Sequence, residues 1–195
     1  MGVIKTALEI AMEKTEKVKS DKSSIDQFDA KQRGKKTANA FLSGQADLAD
    51  EIKKTEPSQL QSFKQGIFDV LVAQIALPSG KNDDEEKRFE AVGKGLKIII
   101  KNSEFDEMYK ELATAFSHYL QEAAHYDQAI RQQYAPKLRQ KEEELSRRMG
   151  REVRIDPFQD PEFVAFYNQH MNALKGNYEA VIEQAKEEAR QFFEA

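Results

Sequence analysis

The stretch SEFDEMYKELATAFSHYLQEAAHYDQAIRQQYAPKLRQKEEELSRRMG, residues 103–150, decides the fold. Phe105, Tyr109, Leu112, Phe116, Tyr119, Ala123, Tyr126 and Ile130 recur at alternating spacings of four and three. Such spacing puts one apolar seam on one face of an α-helix, and no strand reproduces it. Past Ile130 the apolar positions become Tyr134, Leu138, Leu145 and Met149, a slip of about one residue. Pro136 lies inside this run, and a proline that lacks its N–H predicts a kink or break near 132–135. Gly150 ends the segment.

Residues 151–161 read as a loop, with Asp160 as the cap of a final helix and Pro161 in its first turn. Val164, Tyr167, Met171, Leu174, Tyr178, Val181, Ala185 and Phe192 then form a second seam. Glu188 interrupts it, and Ala189 is placed to substitute. Two such seams joined by a loop predict an antiparallel hairpin, about 103–149 against 161–195. With its turn in the middle of the loop, near 155, paired positions add to about 310. That register sets Tyr119 near Gln191, Tyr126 near Gln184 and Leu138 near Asn172.

Working outward, residues 1–102 read as a compact helical region of four or five helices, and 103–195 as the long hairpin. Val3, Ile4, Leu8, Met12 and Val18 suggest a first helix over 2–19, and Ser20–Ser24 suggests a polar break. A second helix is expected over 25–44, a short one after Asp47, and an apolar one from Pro57 to Leu77. Pro78–Asn82 is a loop, and the acids at 83–86 suit the start of a helix that runs to about Lys101. The expected fold class is all-α, a helical bundle with a long coiled-coil-like hairpin in its C-terminal half.

Composition narrows the function. The 195 residues contain no cysteine, which excludes disulfides, thiolate metal sites and a cysteine nucleophile. Net charge is -4, so no global basic signature points to nucleic acid. Residues 1–102 carry 18 basic and 16 acidic side chains, and residues 103–195 carry 12 and 18. The most apolar run, Gly66–Leu77, is too short to span a bilayer, and the N-terminus lacks a secretory h-region. These features suggest a cytoplasmic protein. The opening Met1-Gly2 sequence meets a short acylation template that many chains satisfy by chance.

Two constellations stand out. Lys137, Arg139, Lys141, Arg147, Arg148, Arg151 and Arg154 concentrate positive charge at the hairpin tip of an acidic half. They suit a partner with an acidic surface, or a phosphate backbone, although interleaved acids also allow a salt-bridged helix end. His118, Glu122 and His125 share one helix face with Glu111, and Glu188 of the last helix could add a ligand for a divalent cation. The complementary Glu-x-x-His unit of a di-metal bundle is missing, and a solvated face of Glu–His pairs reads equally well. Gly93-Lys94-Gly95 and Gly80-Lys81 lack P-loop spacing, and no catalytic residue can be singled out. No cofactor other than that cation is implied.

The expected function is therefore non-enzymatic: a helical interaction or assembly protein that docks a protein partner, or a second copy, through helix faces or the basic tip. A metal-binding bundle is the alternative, and nucleic-acid binding at the tip is the third reading.

Overall fold

The computed structural model describes residues 7–80 and 83–195, with side chains from 23 onward in its first helix. The Met1-Gly2 template and the start of the first seam therefore lie outside the described residues. Among those described, the protein is all-α: α1 (Ala7–Leu42), α2 (Leu48–Lys54), α3 (Leu60–Ala73), α4 (Asp83–Ile100), α5 (Ser103–Met149) and α6 (Pro161–Glu194), with a 3-10 turn at Pro157–Gln159. The chain divides into two units. One holds the residues up to Ile75 together with Glu86–Asn102, and the other holds Ala76–Glu85 and Ser103–Glu194.

In the first unit, the expected break at Ser20–Ser24 is absent and α1 runs through it. Ser, Asp and Lys each cost a helix only a few tenths of a kcal/mol, and no glycine or proline stands there to stop it. The stretch 29–37 looks polar in sequence, yet it holds the main contact with α3. Ala30 and Ala38 are fully buried. A Cβ on Gly34 would lie 2.1 Å from the Phe63 carbonyl oxygen, and one on Gly66 would lie 2.1 Å from that of Lys31. The two backbones touch, and only glycine at both positions allows it. Lys31 bonds Asp69 at 2.9 Å across the same antiparallel crossing, and Arg33 donates to Gln59.

Asp47 caps α2 by accepting from the Asp50 N–H at 3.0 Å. Pro57 does not begin α3 but sits in a turn, with α3 starting at Leu60. The helix also stops at Ala73 rather than Leu77, leaving Ile75 buried in the following loop. Pro78 lies five residues beyond the end, where the chain can no longer be helical. Val92, Leu96 and Ile99 of α4 complete the core with Leu48, Ile67 and Leu71. Gly93 and Gly95 are buried within α4, and a Cβ on Gly95 would crowd Leu71 and Phe41. These glycines serve helix packing.

In the second unit, α5 continues through Pro136 without the expected break. Flanking turns on both sides hold the helix, and the proline costs it one backbone bond. α5 and α6 run antiparallel, with Tyr119 beside Tyr178 (5.2 Å between ring centres) and Tyr134 beside Phe163 (5.2 Å). Both pairs add to 297, not 310, so the expected contacts of Tyr119, Tyr126 and Leu138 with Gln191, Gln184 and Asn172 are wrong by about 13 positions.

The reason is where the chain turns. Gly150 takes a left-handed φ of +66° directly after α5, and its N–H bonds the Ser146 carbonyl at 2.9 Å. The rest of the loop lies back along α5. The Ser146 hydroxyl accepts from the Val153 N–H and the Glu142 carboxylate from the Ile155 N–H, each at 2.9 Å.

The seams also shift in detail. Tyr126 is 42% and Val181 44% exposed, while Phe163, Ile182 and Ala189 are buried. A straight helix drifts about 20° per heptad from a strict seven-residue repeat. The contact line therefore moves off Tyr126 and is resumed at Ile130.

Candidate functional site: the hairpin end

The end of the hairpin is built on a polar knot between α5 and the start of α6. Asp160 is 6% exposed, the one buried charged residue among those described. It caps α6 by accepting from the Glu162 N–H at 3.1 Å. Its two carboxylate oxygens also accept from Lys141 Nζ at 2.8 and 2.7 Å, and Tyr134 Oη donates to Oδ2 at 3.0 Å. Glu162 receives Lys141 at 2.6 Å and Lys137 at 2.9 Å. Every buried side-chain polar atom described is partnered, as a low-dielectric site requires.

The charges respond to these contacts. Burial pushes the Asp160 carboxyl up, but the Lys141 ammonium, the Glu162 N–H and the Tyr134 hydroxyl outweigh it and hold it below the ordinary range. Glu162, bonded first by Lys141 and then by Lys137, is drawn down to about 2. Lys141 is held well above its ordinary value by its bonds to Asp160 and Glu162. Tyr134 is raised by burial and by its bond to Asp160. α6 also begins here, so both acids lie at the positive end of its macrodipole.

A second layer is aromatic. Phe158 of the 3-10 turn packs edge-on against Phe163 and Tyr167, each at 5.3 Å. Arg131 stacks over its exposed side at 5.0 Å and is held by Asp127 at 2.9 Å.

The seven basic residues of the sequence reading divide accordingly. Lys137 and Lys141 belong to the knot. Arg147, Arg148 and Arg154 are exposed and pair with Glu143 (3.9 Å), Glu144 (2.6 Å) and Glu152 (3.0 Å). Exposed pairs of this kind contribute little and exchange readily. Arg139 and Arg151 are exposed and have no acidic partner among the described residues. Among these arginines, Leu145 is 36% and Met149 54% exposed, one helical turn apart at the end of α5.

The four residues of the metal reading are not assembled. His118, Glu122 and His125 are exposed on α5. The Glu122 carboxylate accepts from Tyr178 Oη at 3.0 Å, and Glu188 accepts from Gln184 at 2.9 Å within α6. Among the described residues, no three His, Asp or Glu side chains are placed to hold a metal ion.

Sequence reasoning noticed Tyr134 as a seam residue and Asp160 as a cap, but did not join them. A tyrosine and a lysine one heptad apart, facing a capping aspartate, was the available signal.

Fold and site together define an all-α helical protein with an antiparallel hairpin whose end is held by ion pairs around a buried aspartate. The chain belongs to a family of unknown function, DUF6657, which it matches over residues 49–191. The match begins within α2 and extends nearly to the end of α6. No curated protein and no solved structure matches the chain. Among the described residues, no helix is long and apolar enough to cross a membrane.

Proposed function

We propose that this is a non-enzymatic cytoplasmic interaction or assembly protein that docks a protein partner through the end of the α5–α6 hairpin. The observation that carries this reading is Leu145 and Met149 standing exposed among Arg147, Arg148, Arg151 and Arg154. Residues 145–154 contain four arginines and one glutamate, so the complementary surface is apolar at its centre and acidic at its rim. The knot beneath gives that end a fixed shape, which lowers the entropy cost of docking. Arginines in loose, exposed pairs are free to change partners on contact.

The test is affinity capture from nuclease-treated native lysate, with the wild type beside an Arg147→Ala, Arg148→Ala, Arg151→Ala variant. The reading expects a protein retained by the wild type, lost from the variant, and released as salt rises. Equal capture by both, or a partner insensitive to salt, defeats it. Retention only without nuclease would favour nucleic acid instead.

A further inference from the structure

The loop that lies back along α5 has one backbone edge in use and one free. The Val153 N–H donates to Ser146 Oγ and the Ile155 N–H to the Glu142 carboxylate, each at 2.9 Å. Two N–H groups two residues apart that point the same way mark an extended strand. The spacing agrees. Such groups stand about 7 Å apart in a strand, and Ser146 and Glu142 are one helical turn, about 6 Å, apart along α5. The side chains alternate as well. Val153 and Ile155 are half-buried, while Glu152 and Arg154 are exposed and pair with each other at 3.0 Å on one face. Asp156, next in line, has an extended backbone, with φ of -66° and ψ of 123°. In a strand the N–H and C=O of one residue share an edge, and those of the next residue take the other. The N–H and C=O groups of Glu152 and Arg154 therefore face away from α5. None of the four has a hydrogen-bond partner among the described residues.

We infer that a second copy of this chain closes that edge, pairing antiparallel about a two-fold axis at Val153. Glu152 then exchanges both backbone bonds with Arg154 of the partner subunit, and Arg154 does so with Glu152 of the partner subunit. All four open groups are satisfied. The side chains fit the same register. On one face Glu152 lies opposite Arg154 of the partner subunit, twice by symmetry. These contacts close a ring of alternating charges with the pair that each chain already makes. On the other face Val153 meets Val153 of the partner subunit at a non-hydrogen-bonded position, where side chains approach most closely. Moving the axis by one residue sets Glu152 against Glu152 of the partner subunit, or Arg154 against Arg154 of the partner subunit, like against like. The charges thus choose both occupant and register. Residues 142–156 hold four arginines and five acids, so two such ends meet without a large net charge to oppose them. The inference concerns the backbone edge of the loop and does not rest on the docking of a different protein.

Sedimentation equilibrium of the purified full chain tests it, with circular dichroism as the check on folding. The wild type dimerises as concentration rises. Glu152→Arg and Arg154→Glu each weaken the dimer roughly tenfold, because each sets like charges opposite one another twice. An equimolar mixture of the two variants associates at least as well as the wild type, since every facing pair is then opposite in charge. Mixing cannot repair a pair within one chain, so that rescue marks pairing between chains. Arg154→Pro weakens the dimer more than Arg154→Ala does, because it also removes an N–H that only the dimer uses. A wild type that stays monomeric, single variants that dimerise as the wild type does, a mixture no better than its components, or a proline variant equal to the alanine one each overturns the inference. A monomeric chain that still captures another protein from lysate would sink this inference and leave the proposed docking role standing.

Discussion

Lys141 and Asp160 are nineteen residues apart in sequence and meet through both carboxylate oxygens, at 2.8 and 2.7 Å. Asp160 is at once the cap of α6 and the acceptor for a residue on α5, so the start of one helix is fixed to the flank of the other. Replacing it removes the cap and leaves Lys141 and Tyr134 to the more exposed Glu162 carboxylate, which they reach at 2.6 and 3.3 Å. Asp160→Ala is expected to cost about 2–3 kcal/mol, seen as a lower urea midpoint at unchanged slope. Tyr134→Phe removes one bond to the same carboxylate and costs about 1 kcal/mol. An Asp160→Ala midpoint equal to that of Tyr134→Phe would show that the knot does not hold the hairpin end.

The same contacts predict a pH dependence. Glu162 is lowered to about 2 in the folded chain, and Asp160 is also lowered. Unfolded carboxyls titrate near 4. The Glu162 stabilisation is therefore present above about pH 4 and disappears as pH falls through about 2, and that of Asp160 is likewise lost on acidification. Lys141 is raised, so its share is complete below its unfolded value of about 10.5 and fades only as pH rises beyond it. Urea midpoints measured from pH 6 down to pH 2 should fall more steeply for the wild type than for Lys141→Met. Parallel curves for the two proteins would remove the knot as the source.

Three glycines in helices should respond in opposite directions to alanine. A Cβ at position 34 or 66 meets a backbone oxygen at 2.1 Å, and backbone cannot swing aside. Gly34→Ala and Gly66→Ala should each destabilise by about 1–3 kcal/mol, despite the helix preference of alanine. At Gly176, within α6, an added Cβ meets nothing within 4 Å. Gly176→Ala should stabilise by about 0.5–1 kcal/mol. Thermal melts of the three variants give the signs directly.

Gly150 makes a different demand. Its φ of +66° is left-handed, and an added Cβ meets no neighbour. Gly150→Ala should therefore cost only the conformational strain, about 1–2 kcal/mol. An asparagine there should be tolerated better than alanine. Equal midpoints for alanine and asparagine would contradict that account of the turn.

The all-α class was legible because seam spacing in α5 and α6 is a local property of the helix repeat. So were Asp47 and Asp160 as caps, since each uses only its own neighbours. The α1–α3 contact was not legible: Ala30, Gly34 and Ala38 stand four apart among polar residues, and nothing local marks them as a close-packed face. At the hairpin end, the basic residues were identified and their division was not. Lys141 differs from Arg151 only in what the fold brings to it.

Register, too, belonged to the tertiary structure. Sequence placed the turn in the middle of the 151–160 loop, whereas Gly150 reverses the chain and Ser146 and Glu142 fasten the loop back onto α5. Periodicity specifies which face of each helix is apolar, because that depends on residues one turn apart. It does not specify how far one helix slides along another, because a repeating seam offers a similar apolar contact at every heptad. That choice falls to single, non-repeating contacts: a left-handed glycine at 150, and a buried aspartate at 160 that accepts from Lys141 and Tyr134 of α5.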